Sequence, residues 1–147
     1  MRNSYYLVEP EVAGGWGPAT VVAEPRTHPP EILELEYEFF GWLGDPLVTS
    51  FPVYLATRSL LAELARLGAT GYRVAEATIT RNEQFDEVQP ETVLPPFAWL
   101  RPTGIPGFDD LGALPNADLI VSERVYELLL AAGMNYAEVS RWPDLVE

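Results

Sequence analysis

The chain has 147 residues, a length that suits one domain with an ordinary core. It has no cysteine, which excludes a disulfide framework, a thiolate nucleophile and any cysteine-based zinc or iron–sulfur site. Its 22 acidic residues outnumber 9 basic ones, all arginine, for a net charge of −13; a phosphate backbone is therefore not an expected ligand, whereas a basic partner, or solubility alone, fits the balance.

Ser4 to Val8 reads as a short strand closed by Pro10. Glu9 and Pro10 interrupt the apolar run too early for a signal peptide, and no stretch approaches the ~20 apolar residues of a membrane span. The expected location is the cytoplasm. Gly14–Pro18 is a turn cluster, and the apolar stretch Ala19–Ala23 ends at Pro25 and Pro29–Pro30.

Leu33, Leu35, Tyr37 and Phe39 then alternate with Glu34, Glu36 and Glu38. Period two predicts a strand with one apolar face and one carboxylate face turned to solvent. An aromatic, glycine-rich loop follows over Phe40–Pro46. Val53–Leu55 leads into a helix from Arg58 to Leu67, with Thr57 as N-cap, Leu60, Leu61, Leu64 and Leu67 on one face, and Gly68 past its end. Tyr72 to Thr80 alternates as a strand. Prolines 90, 95, 96, 102, 106 and 115 leave room only for short pieces between 82 and 117, such as Phe97–Leu100, while Gly104–Asp110 keeps apolar anchors and reads as an ordered loop. Asp118–Val121 is a strand, Ser122 caps a helix from Glu123 to Ala132, Gly133 ends it, and Tyr136–Trp142 returns as a strand.

The stretch Thr57–Gly68 lies over Ser122–Gly133 without a gap, so a strand–cap–helix–Gly–strand unit occurs twice, over 53–80 and 118–142. Duplication, or the generic look of any capped amphipathic helix between strands, accounts for it. The expected fold is α+β: a single domain with a mixed or antiparallel sheet and two main helices.

Few residues suggest chemistry. His28, the only histidine, sits in a loop beside Pro29 with no identifiable orienting partner. There is no G-x-S-x-G elbow, and Ser122 is better placed to cap a helix than to attack a substrate. Glycines 14, 15, 17, 104 and 107 form neither a dinucleotide nor a P-loop pattern. Among carboxylates, Asp109–Asp110 and the series Glu34, Glu36, Glu38 stand out. Same-face strand neighbours lie about 7 Å apart, a spacing open to acid–base work or a hard cation, to contact with a basic protein, or to simple solvation. Phe39 is assigned to the core; Trp42 is left open between core and interface.

Asp118-Leu119-Ile120-Val121-Ser122-Glu123-Arg124, followed by a leucine-rich helix, Gly133 and Tyr136–Val139, resembles the C-terminal portion of bacterial immunity proteins from polymorphic toxin systems. Tyr54–Thr57 through Gly71–Tyr72 is similar to the middle of such proteins, and the two stretches cover about half the chain. Some related families carry paired CxxC zinc motifs, which this chain lacks. The resemblance implies a cytosolic inhibitor that neutralises a cognate toxin by tight binding, and an acidic inhibitor suits a toxin with a basic surface. The expected contact surface is Glu34, Glu36 and Glu38 with Trp42 and the loop residues Glu83, Asp86 and Glu87, with no catalytic residue, cofactor, metal, nucleic acid or membrane involved. Two rivals stand beside it: a small carboxylate-dependent hydrolase or transferase with a cleft lined by Trp99, Phe108, Asp109 and Asp110, and a regulatory module that self-associates through the aromatic loop.

Overall fold

The computed structural model of the protein describes residues 4–143. In chain order the elements are β1 (Tyr5–Glu9), β2 (Glu11–Val12), β3 (Gly14–Trp16), β4 (Val21–Val22), β5 (Ile32–Glu34), β6 (Glu36–Phe39), β7 (Leu47–Ser50), β8 (Val53–Thr57), α1 (Arg58–Leu67), β9 (Tyr72–Ala75), β10 (Thr78–Arg81), α2 (Glu83–Val88), β11 (Phe97–Pro102), β12 (Leu111–Ala113), β13 (Leu119–Ser122), α3 (Glu123–Ala131) and β14 (Glu138–Trp142). The protein is α+β, as expected, with mixed as well as antiparallel sheets.

Strands β8 and β11 set the architecture because both their faces are apolar. They pair antiparallel at the centre of a sheet ordered β2-β7-β8-β11-β9. On one face Tyr54, Ala56, Ala98 and Leu100 join a core with Leu60, Leu61 and Leu64 of α1 and Val125 and Leu129 of α3, closed by Val8, Leu119 and Val121 from a second sheet, β12-β13-β1-β14. On the other face Val53, Leu55, Phe97 and Trp99 meet Tyr37, Phe39 and Phe85 under a third sheet, β10-β6-β3. A central strand covered on both sides reads as a continuous apolar run, which is what Val53–Thr57 shows.

The two similar sequence stretches have the same topology. Strands β8 and β9, joined by α1, both pair antiparallel with β11 between them; β13 and β14, joined by α3, do the same with β1. Each is a split βαβ unit. Each leading strand also has an antiparallel neighbour that precedes it, β7 beside β8 and β12 beside β13. The central strand follows its unit in one case and comes from the start of the chain in the other. Both helices begin as the sequence predicts: Leu60 N–H donates to Thr57 Oγ1 at 3.1 Å and Val125 N–H to Ser122 Oγ at 3.4 Å. Both are followed by a left-handed glycine, Gly68 (φ 74°) and Gly133 (φ 96°).

Four sequence expectations are corrected. A third helix, α2, occupies part of what reads as loop; Asn82 caps it through Phe85 N–H, and the buried Phe85 ring fastens it to the core. The expected strand over 72–80 is two strands in different sheets, parting at Glu76–Ala77. The predicted turn at Gly14–Trp16 is a strand: a Cβ on Gly14 would lie 2.0 Å from the Glu38 carbonyl oxygen, so glycine is what lets β3 lie against β6. The alternating strand over 33–39 breaks at Leu35. Tyr37 and Phe39 point inward, but Leu33 is 51% exposed and Glu36 only 7%. β5 pairs with β4 while β6 pairs with β3 and β10, and the two segments carry different inside–outside parity.

Candidate functional site

Of the three strand glutamates, Glu36 is not a surface group. Its carboxylate accepts Ala19 N–H at 2.8 Å and the Thr80 hydroxyl at 2.9 Å, and it lies over Gly17, where a Cβ would be 2.2 Å from the carboxyl carbon. Its backbone N–H takes the Thr20 hydroxyl oxygen at 3.0 Å. Glu36 thus ties the 17–20 turn to β10, and the expectation of three carboxylates on one solvent face fails at its middle member. Glu34 is exposed and Glu38 partly exposed on opposite sides of that break.

Trp42, left open by the sequence between core and interface, is partly buried and packs against the core. Its ring meets Phe97 edge-on at 5.8 Å and its indole N–H donates to Asp45 O at 2.9 Å. Gln89 clasps its backbone from the end of α2: Trp42 N–H donates to Gln89 Oε1 at 2.6 Å, and Gln89 Nε2 donates to Trp42 O at 2.8 Å. On the other side, Phe40 N–H and Gly41 N–H both donate to Ala13 O, and Leu43 N–H donates to Glu11 Oε2 at 2.7 Å. The segment 40–43 is pinned from two directions with Trp42 turned in.

Its neighbours turn out. Phe40 is 42% exposed and Leu43 62%, and Val12, on the strand whose loop holds this segment, is also exposed. α2 runs beside them, fixed at its start by Asn82 N–H on Phe39 O at 3.0 Å and at its end by Gln89. Glu83 and Glu87 are exposed on that helix, and Glu38 projects from the face of β6 that also carries Phe40. Asp86, expected with them, is not free charge: Arg81 Nε and Nη2 donate to its Oδ1 at 2.9 and 2.6 Å, while the Arg81 guanidinium lies 4.2 Å from the Phe85 ring centroid. The exposed residues of this segment are Phe40 and Leu43, and the elements that pin it carry exposed Val12, Glu83 and Glu87 and the partly exposed Glu38. The signal that could have pointed to Phe40 and Leu43 was the parity of the loop: with Phe39 buried and Trp42 packed inward, Phe40 and Leu43 beside them are exposed.

The carboxylates of the rival cleft are placed otherwise. Asp110 is buried and fully engaged: Oδ1 accepts the Ser122 hydroxyl and Arg124 Nε at 2.8 Å each, and Oδ2 accepts Arg124 Nη2 at 2.6 Å and Thr70 N–H at 2.9 Å. The Arg124 hydrogen bonds above all, with Ser122 and Thr70, outweigh burial and hold its carboxyl well below the usual range. Asp109 accepts Ile105 N–H at 2.7 Å and closes the 105–109 turn. Trp99 is buried in the core while Phe108 is exposed, so these four residues do not line one cleft.

Two further acids went unnoticed in the sequence. Asp45 is 0% exposed and accepts Asn135 N–H and Tyr136 N–H at 2.9 and 2.8 Å, fastening the loop after α3 to the start of β7. Glu11 is buried beside it; burial first, and the charge of Asp45 as well, pushes the Glu11 carboxyl up against the pull of the Leu43 and Asp45 amides. Comparison with protein-family models, with curated proteins and with solved structures found no match.

Proposed function

We propose that this chain is an immunity-type protein that neutralises a bacterial toxin in the cytoplasm by covering it. The observation that supports this reading is the outward display of Phe40 and Leu43 on a segment whose backbone is pinned from both sides, with Glu38, Glu83 and Glu87 at least partly exposed on the strand and helix next to it in the fold. An aromatic and an aliphatic side chain on a rigidly held backbone form the pattern of an interface centre, because little conformational freedom remains to be lost on docking. The acids supply the field. They attract a basic toxin surface and orient the encounter, while the apolar pair provides the lasting contact. The function needs only shape and charge, with no reacting group. No helix of the described residues is long and apolar enough to cross a membrane.

The test is co-expression with the toxin encoded in the neighbouring reading frame. The wild-type chain restores growth, and Phe40→Asp with Leu43→Asp abolishes the rescue while leaving the far-ultraviolet circular dichroism unchanged. Failure of the wild type to restore growth, or full rescue by the double variant, overturns the proposal.

A further inference from the structure

On this strongly acidic chain two arginines face each other across a sheet. In the register of β11 and β9, Arg101 lies directly opposite Arg73, on the face that carries Trp99 and Ala75. Like charges facing across a sheet disfavour the pairing. Both arginines are exposed, and among the described residues neither forms an ion pair or a side-chain hydrogen bond, whereas Arg58, Arg66, Arg81 and Arg124 are each matched to an acid. The Arg101 guanidinium lies 4.4 Å from the centroid of the Trp99 ring. Stacking on an indole orients the planar group and leaves its N–H edges available.

Arg101 also stands at the wall of a cavity of about 270 Å³, formed where β8 begins and β11 ends. Its lining is apolar and stiff: Pro30, Pro52, Pro102 and Pro115 with Trp99 and Tyr54. The Tyr54 hydroxyl is already committed to Ala117 O at 2.7 Å. Glu31 also lines it, but it does not pair with Arg101. Pockets for drug-sized molecules run from roughly 300 to 1,000 Å³, so this one suits a single ring.

We propose that this cavity binds a small ligand made of one apolar ring and one oxyanion, the ring seated among the prolines and the anionic end taken by Arg101 with Arg73 beside it. A guanidinium fork matches the paired oxygens of a carboxylate or phosphate. This site is on a different sheet from Phe40 and does not depend on the toxin-binding reading.

Calorimetric titration with phenylacetate, phenyl phosphate and neutral phenylacetamide tests it, with the Trp99 indole N–H followed by NMR. At least one of the two anions binds saturably, shifts that resonance, and binds about tenfold or more tightly than the amide; the ranking of the two anions identifies the preferred oxyanion. Arg101→Gln removes about tenfold of that affinity, Arg73→Gln a smaller part, and Arg141→Gln, on β14 of another sheet, none. No saturable binding of either anion, equal binding of the amide, or unchanged affinity in Arg101→Gln overturns the proposal.

Discussion

Two buried acids illustrate how the same side-chain chemistry acts in opposite senses. Asp110 is held by Arg124, Ser122 and Thr70 and binds its proton less tightly in the folded than in the unfolded chain. Its contribution to stability is therefore full above the unfolded aspartate value, about 3.9, and is lost as pH falls below it. Asp110→Asn is expected to cost about 2 kcal/mol at pH 7, the scale of hydrogen bonds to a charged group, and to shrink the gap to wild type at pH 3; urea unfolding at the two pH values measures both. Glu11 is raised, chiefly by burial, so its contribution runs the other way: greatest below the unfolded glutamate value, about 4.3, and falling as pH rises through the folded one. Neither behaviour was legible in the sequence. The dipeptide Asp109-Asp110 looks like one pair, yet one acid closes a local turn and the other binds Thr70, 40 residues away.

At the scale of elements, legibility follows the range of the interactions. Helices α1 and α3 could be read because cap, apolar stripe and terminal glycine lie within a dozen residues. α2 could not, since six residues hold too few turns to show a period, and Phe85 is its one buried side chain. The parity break at Leu35 was also hidden, because the partners that draw Glu36 inward come from the 17–20 turn and from Thr80. Phe85→Ala should therefore do more than empty a site in the core. Loss of the ring is expected to cost about 3–5 kcal/mol, and it frees the helix that carries Glu83 and Glu87. Amide exchange in 83–89 should accelerate more than in α1 or α3, and uniform acceleration would show that Phe85 supports the whole fold and not α2 in particular.

For the whole molecule, the excess of 22 acids over 9 arginines was evident from composition, but its distribution was not. Of the seven residues the sequence singles out as a contact surface, Glu83 and Glu87 are exposed and Glu38 partly so, Glu34 is exposed across the parity break, and Glu36, Trp42 and Asp86 are engaged within the fold. Composition reports how much charge there is, while only the paired strands decide where it stands. The consequence for recognition is kinetic. Raising salt from about 0.01 M to 0.15 M shortens the Debye length from roughly 30 Å to 8 Å, so on the proposed function association with the basic partner should slow by an order of magnitude or more, with dissociation nearly unchanged. Glu83→Arg with Glu87→Arg should flatten that dependence in stopped-flow measurements. A wild-type association rate indifferent to salt would remove steering from the account.

The placement of β1 between β13 and β14 bears on how the protein is made. β1 is made more than 110 residues before either of its two neighbours and has to wait for them during translation. A nascent chain stalled after β11 can assemble the first split unit but must hold Tyr5–Glu9 unzipped. Protease resistance of those early residues should therefore arrive only with the last strand.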